Sequence, residues 1–164
     1  IINQKIINKK SAGIGKAMED KIIISLKEFY ILEKFQVAYY QAQADSATDE
    51  YYRKAFSKMV AIEQGHADFF AAKILKAKEK VPKIVGSVFD LAGEILGETV
   101  ELFGRHNTCK VSAALENRAV KMYREFIRLA KKEELQDLKD TLMDYLLDEE
   151  FHILWLNDYM SKHP

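Results

Sequence analysis

The chain has 164 residues, 48% of them hydrophobic and 30% charged, which is enough for one domain with a real core and too apolar for a disordered chain. Its 25 Lys+Arg against 25 Asp+Glu leave no net charge, so nothing in the overall balance attracts nucleic acid or an anionic membrane. Seven Gly and two Pro supply little of the turn chemistry that many short strands need, and the single cysteine, Cys109, excludes an internal disulfide or a multi-cysteine zinc or iron–sulfur site.

Residues 1–15, with Lys5, Lys9 and Lys10 among isoleucines, read as an N-terminal tail or short helix without the sustained apolar region of a signal peptide. From about Lys16 to Ala44, Ile22, Leu26, Phe29, Tyr30, Val37 and Tyr40 recur at three- and four-residue steps, the mark of one long amphipathic helix. Asp45-Ser46-Ala47-Thr48-Asp49 breaks it and offers N-cap residues to a second helix, which carries Tyr52, Phe56, Met59, Ile62, Phe69, Phe70 and Ile74 and is expected to end at Val81-Pro82. Residues 83–103 form a shorter pattern through Ile84, Val88, Leu91 and Ile95, with Glu94, Glu98 and Glu101 gathered on one side and three glycines within it. Helical periodicity resumes from about Thr108 to Ala130 and again from about Glu133 to Met160 through Leu138, Leu142, Leu146, Ile153 and Leu156. The expected fold is all-α: residues 16–164 form a single four-helix bundle domain, with a long crossover carrying an inserted shorter helix between the second and third bundle helices. Charges interrupt every apolar run before the roughly 18 residues that a membrane span needs. Cysteine usage suits a cytoplasmic setting.

The two halves repeat each other chemically. Glu33 is followed seven residues on by Tyr40, and Glu116 seven residues on by Tyr123. Each pair is followed on the next helix by Glu-x-x-His, once as Glu63-Gln64-Gly65-His66 and once as Glu149-Glu150-Phe151-His152. A glutamate and a histidine three apart lie one helical turn from each other, so both can reach a single metal ion. Each candidate falls on its helix's apolar stripe: Glu33 with Phe29 and Tyr40, Glu63 and His66 with Phe56, Met59 and Phe70, Glu116 with Val120 and Tyr123, Glu149 and His152 with Leu142, Leu146 and Leu156.

Four carboxylates buried without compensation would cost several kcal/mol apiece, of order the whole stability of a domain. Two divalent metals would neutralise them and leave the neutral imidazoles to complete the coordination, as bundles with a Glu from two helices and Glu-x-x-His from two others do. Oxygen donors with two imidazoles suit iron or manganese, and the lack of thiolates argues against copper(I). The candidate metal residues are therefore Glu33, Glu63, His66, Glu116, Glu149 and His152, with Tyr40 and Tyr123 as candidates to hydrogen-bond the ligand carboxylates. His106 and His163 lie outside the pattern and read as surface residues, and Cys109 as a small buried apolar group.

From about Glu28 to Met160 this arrangement resembles the ferritin-like di-iron carboxylate superfamily, whose six-ligand pattern those residues match without a gap. The second Glu-x-x-His separates the chain from ferritins. The single cysteine separates it from rubrerythrins that carry a rubredoxin module, and Ala119 stands where rubrerythrins place a further glutamate. The local match is to the demethoxyubiquinone hydroxylase family, in Glu33 with Tyr40 and Gln43, in Leu96-Gly97 and Gly104 ahead of Glu116, and in the long step from Glu63 to Glu116. Two departures are Leu32, where that family has a glycine, and the polar face of Glu94, Glu98 and Glu101, which counts against peripheral membrane contact.

The resemblance implies two iron ions, with manganese or a mixed iron–manganese pair as the variant. It implies an oxidoreductase that activates dioxygen or peroxide with electrons from an external donor, and a hydroxylase in that family's manner. The alternatives are a rubrerythrin-like peroxide reductase, or a ferroxidase or iron-handling protein without an organic substrate. The apolar face of Ile84, Val88, Leu91 and Ile95 is the expected homodimer surface, unless it packs on its own bundle.

Overall fold

The computed structural model describes residues 2–83 and 104–163. Four long helices follow one another: α1 (Ile2–Ser46), α2 (Glu50–Lys76), α3 (Arg105–Lys132) and α4 (Gln136–Lys162). Among the described residues there is no strand. The four-helix bundle expected from the periodicity is thus the fold. The inserted helix over 83–103 and the dimer face of Ile84, Val88, Leu91 and Ile95 lie, apart from Lys83, outside the described residues.

Helix boundaries depart from the sequence pattern at two places. α1 begins at Ile2 rather than near Lys16, so residues 2–15 continue it instead of forming a separate tail; no proline interrupts the run, and lysine and isoleucine are tolerated in helices whether or not an apolar stripe is present. α2 ends at Lys76, ahead of Val81-Pro82. The stop is local: Lys78 adopts φ 59, and the Glu79 amide donates to the Ile74 carbonyl at 3.1 Å, consuming an otherwise unpaired end group. The same device closes α3, where Glu134 has φ 57 and the Leu135 amide donates to the Ala130 carbonyl at 2.9 Å. At the other helix ends, the Asp49 side chain accepts from the Tyr52 amide at 2.7 Å, and Gly104 precedes α3 at φ 94, a conformation that a side chain would strain.

α1 packs mainly along α2, and α3 mainly along α4, so the bundle is two hairpins face to face. Arg105, at the start of α3, donates to Thr48 in the α1–α2 turn at 2.9 Å, whereas Lys27 meets Glu79, just past α2, at 2.8 Å. The chain therefore leaves α2 at one end of the bundle and enters α3 at the other, which is the long crossover connection.

The core is divided. One apolar cluster contains Phe29, Leu32, Phe70, Ile74, Leu115, Phe126 and Leu142, and the other Tyr40, Ala44, Phe56, Met59, Cys109, Leu156 and Tyr159. Phe29 stacks on Phe70 with ring centroids 5.1 Å apart, and Tyr40 meets Phe56 edge-on at 5.5 Å. Buried among these residues is a polar group drawn from all four helices: Glu33, Gln36, Glu63, His66, Glu116, Glu149 and His152.

Candidate metal centre

Each candidate reaches the centre because of its place on a helix. Glu33 and Tyr40 are two turns apart on α1, as are Glu116 and Tyr123 on α3, while the Glu-x-x-His pairs of α2 and α4 span a single turn. Glu33, Glu63, Glu116 and Glu149 are fully buried, and His66 and His152 retain 2% and 5% of their exposure. All six sequence candidates come together. Their ligand atoms form two sets, each within 4.8 Å: Glu33, Glu63, His66 and Glu149 in one, and Glu63, Glu116, Glu149 and His152 in the other. Glu63 and Glu149 belong to both.

The imidazoles turn their Nδ1 atoms inward. His66 Nδ1 lies 3.2 Å from Glu63, 3.4 Å from Glu149 and 3.7 Å from Glu33. His152 Nδ1 lies 3.1 Å from Glu63, 3.3 Å from Glu116 and 3.6 Å from Glu149. These atoms are close without hydrogen-bond geometry: Glu33 Oε2, both oxygens of Glu63 and of Glu149, and both Nδ1 atoms have no hydrogen-bond partner. So many unpaired buried polar atoms in one place are costly unless something is coordinated there. Six oxygen- and nitrogen-donor residues in two overlapping four-residue sets suit two divalent cations that share Glu63 and Glu149, so the residues present fit a di-metal centre.

Without metal the centre balances its charge with protons. Burial, with the Glu63 charge next, raises the Glu33 carboxyl to about 8. Burial and the charges of Glu63 and Glu116 likewise raise Glu149 well above the carboxylate range. Glu63 goes the other way: burial pushes it up, but the adjacent imidazoles of His152 and His66 outweigh this and hold it at about 2. Burial lowers both imidazoles, yet the surrounding glutamates more than offset it, raising His152 to about 12 and His66 still further. In the metal-free protein these surroundings favour the cationic form of the histidines and the ionised form of Glu63, and disfavour ionisation of Glu33 and Glu149.

Hydrogen bonds between hairpins hold the outer carboxylates. The Tyr40 hydroxyl on α1 donates to Glu116 Oε1 on α3, and the Tyr123 hydroxyl on α3 donates to Glu33 Oε1 on α1. Both tyrosines are fully buried, so the repeated Glu and Tyr seven residues apart is a reciprocal brace. Three further residues join the centre that sequence reasoning did not single out. The Gln36 amide donates to Glu116 Oε2 at 2.9 Å, Asp148 lies 3.2 Å from His66 Nε2, and Tyr145 stacks on the His66 ring at 3.9 Å. Gln36 had a signal, three residues after Glu33 on the same face. Cys109 is buried among Tyr52 and Tyr159, its thiol pushed up to about 11 by burial, and His106 and His163 are exposed at the bundle end.

A family model described as "Ubiquinone biosynthesis protein COQ7" matches residues 33–163, a span that begins at Glu33 and includes all six candidates. No curated protein sequence matches the chain. Among solved structures, a ferritin-like, diiron-carboxylate protein from Bacillus anthracis str. Ames superposes with a TM-score of 0.72 at 19% identity, covering 86% of this chain and 96% of its own. Dps from Thermosynechococcus elongatus superposes with a TM-score of 0.72 at 10% identity, covering 88% of this chain and 92% of its own. At such identities the likeness speaks for the fold.

Proposed function

Because the chain belongs to the COQ7 family of ubiquinone biosynthesis proteins, we propose that it is a di-iron oxidoreductase that hydroxylates a quinone-ring substrate of the demethoxyubiquinone type. The observation that supports this most is the buried six-residue centre, in which inward-facing atoms of Glu33, Glu63, His66, Glu149 and His152 find no hydrogen-bond partner within the protein. In this reading Glu33 and His66 would hold one iron and Glu116 and His152 the other, with Glu63 and Glu149 within reach of both. Bound iron would supply two-electron redox chemistry toward dioxygen. The overall reaction places one oxygen atom on a ring carbon as a hydroxyl and sends the other to water, with two electrons and two protons from an external donor.

The chain's own residues set the conditions for this. Tyr40 and Gln36 fix both oxygens of Glu116, and Tyr123 fixes one oxygen of Glu33, so the outer carboxylates are positioned in advance. Glu63 and Glu149 carry no such bonds, so no hydrogen bond would have to break for them to serve as ligands. Phe29 and Phe70 on one side and Phe56 and Leu156 on the other exclude water from the carboxylates.

The test is anaerobic loading with ferrous iron, followed by oxygen, a reductant and a demethoxylated quinone, with products read by mass spectrometry. About two irons per chain and a product heavier by one oxygen atom are expected. Oxygen or peroxide consumption without that product would replace the hydroxylase reading by peroxide reduction or ferroxidase activity. Failure to bind iron would remove the redox reading altogether.

A further inference from the structure

The rings on the two sides of the centre differ in kind. In the cluster that holds Phe29, the buried rings are Phe29, Phe35, Phe70 and Phe126 with one tyrosine, Tyr123. In the cluster toward the α1–α2 turn they are Tyr40, Tyr52 and Tyr159 with one phenylalanine, Phe56, and Trp155, the single tryptophan of the chain, packs against them. Either kind of ring fills a core. They differ in that a phenol or an indole can surrender one electron to an oxidant of moderate strength, whereas a phenyl ring cannot.

The second cluster is continuous from the centre to the surface. At its inner end the Tyr40 hydroxyl donates to Glu116, and Trp155 stands one turn beyond His152 on α4. Tyr40 meets Phe56 edge-on with ring centroids 5.5 Å apart, and Phe56 meets Trp155 edge-on at 5.9 Å. At the outer end the Trp155 indole N–H donates to the Tyr51 hydroxyl at 3.1 Å, the two rings lying 6.0 Å apart. Tyr51 is 61% exposed, so its phenol can release a proton to water, which the buried phenols cannot do. Every step is a ring contact, and electrons cross such contacts quickly beside a turnover of about 10 per second. On the other side Tyr123 donates to Glu33 and meets Phe29 at 4.3 Å, while Tyr145 stacks on the His66 ring at 3.9 Å. Tyr145 is half-buried and is the competing exit.

We propose that Trp155 and Tyr51 carry oxidising equivalents out of the centre when dioxygen or peroxide has reacted there and no organic substrate takes up the oxygen. The inference rests on the proposed iron pair. Trp155 gives one electron to the oxidised centre, and Tyr51 replaces it, losing one electron to Trp155 and its phenolic proton to water. The net change is one electron gained by the centre and one tyrosine converted to a neutral phenoxyl radical at the surface. A small-molecule reductant of the thiol or ascorbate class returns the electron, and solvent returns the proton. The reactive equivalent thus ends on a surface phenol that can be reduced again, away from the carboxylates and imidazoles of the centre.

The test loads the full chain with ferrous iron anaerobically and adds hydrogen peroxide without quinone or reductant. Ring radicals are captured with a nitroso spin trap and located by peptide mass spectrometry. Adducts are expected on Tyr51 in the iron-loaded protein and not in metal-free protein given the same peroxide. Trp155→Phe keeps a ring but removes the oxidisable one, and should abolish the Tyr51 adduct. Tyr51→Phe, at an exposed position, should leave the oxidation on Trp155, read as its hydroxylated product, and Tyr145→Phe should change neither. A Tyr51 adduct that persists in Trp155→Phe or forms equally without metal, adducts confined to Tyr145, or no adduct at all would overturn the proposal. Iron content of the same samples separates the two readings. About two irons per chain without a Tyr51 adduct refutes the route and leaves the centre standing, whereas absence of bound iron refutes the centre and the route with it.

Discussion

Glu63→Gln is the sharpest perturbation of the centre, because Glu63 belongs to both ligand sets, accepts no hydrogen bond, and stands 3.2 Å from His66 Nδ1 and 3.1 Å from His152 Nδ1. The amide has nearly the same shape, so packing is preserved while the charge is lost. In the metal-free protein the buried imidazoles lose a facing charge, although Glu149 can ionise in compensation; a net loss of roughly 1–3 kcal/mol follows. The larger effect concerns metal. At free metal about 100 times its Kd, each ion stabilises the native state by about 2.7 kcal/mol. Two ions therefore raise Tm by roughly 10–20 °C in a chain of this size, at about 2–4 °C per kcal/mol. Scanning calorimetry with and without ferrous iron or manganese under anaerobic conditions should show that rise in the wild type and its loss in Glu63→Gln. Glu28→Gln, at an exposed position on α1, should behave as wild type. If Glu63→Gln keeps two ions and the full rise in Tm, the assignment of Glu63 as the shared ligand is wrong.

Tyr40→Phe and Tyr123→Phe each leave one buried carboxylate oxygen without its donor, costing about 1–3 kcal/mol by denaturant unfolding and increasing the rate of metal loss to a chelator. Asp148→Ala is expected to weaken metal binding about tenfold at one position and spare the other, which two-phase chelator titration would resolve. Metal uptake should release protons and weaken as pH falls, because ions replace protons on His66, His152, Glu33 and Glu149; calorimetric titration in buffers of different ionisation heats counts them. For the metal-free fold the signs are opposite for the two kinds of group. The His152 contribution, from a pKa raised to about 12, is fully present below the ordinary histidine range and is lost only as pH rises through about 12. The Glu63 contribution, from a carboxyl held at about 2, is present above the ordinary carboxylate range and is lost as pH falls through about 2. Acid and alkaline unfolding of metal-free protein would check both.

The helical bundle and its central carboxylates and imidazoles could be read from the chain because helical periodicity converts spacing directly into direction. Glu63 with His66 and Glu149 with His152 must share a face, and apolar neighbours at three- and four-residue steps show that the face is inward. What periodicity does not contain is the partner across the bundle. Asp148 lies about 100° around α4 from Glu149, its side chain 41% exposed, and reads as a surface acid until α2 brings His66 to it. Tyr145 was hidden for the same reason. Gln36 shared the Glu33 face, but its bond to Glu116 depends on how closely α1 and α3 approach. Helix ends were also partly hidden: Lys78 and Glu134 adopt positive φ without the glycine that usually announces it.

The differences in support around the two imidazoles and the two outer carboxylates make the paired positions unequal. On one side Glu116 is held at both oxygens while His152 has a free outer edge; on the other His66 is held by Asp148 and by stacking on Tyr145, while Glu33 keeps an oxygen free. One position is rigid in its oxygen donor and adaptable in its nitrogen donor, and the other is the reverse. Cations of different size and ligand preference would then sort between them, filling in a definite order and favouring a heterometallic pair when two kinds of ion compete.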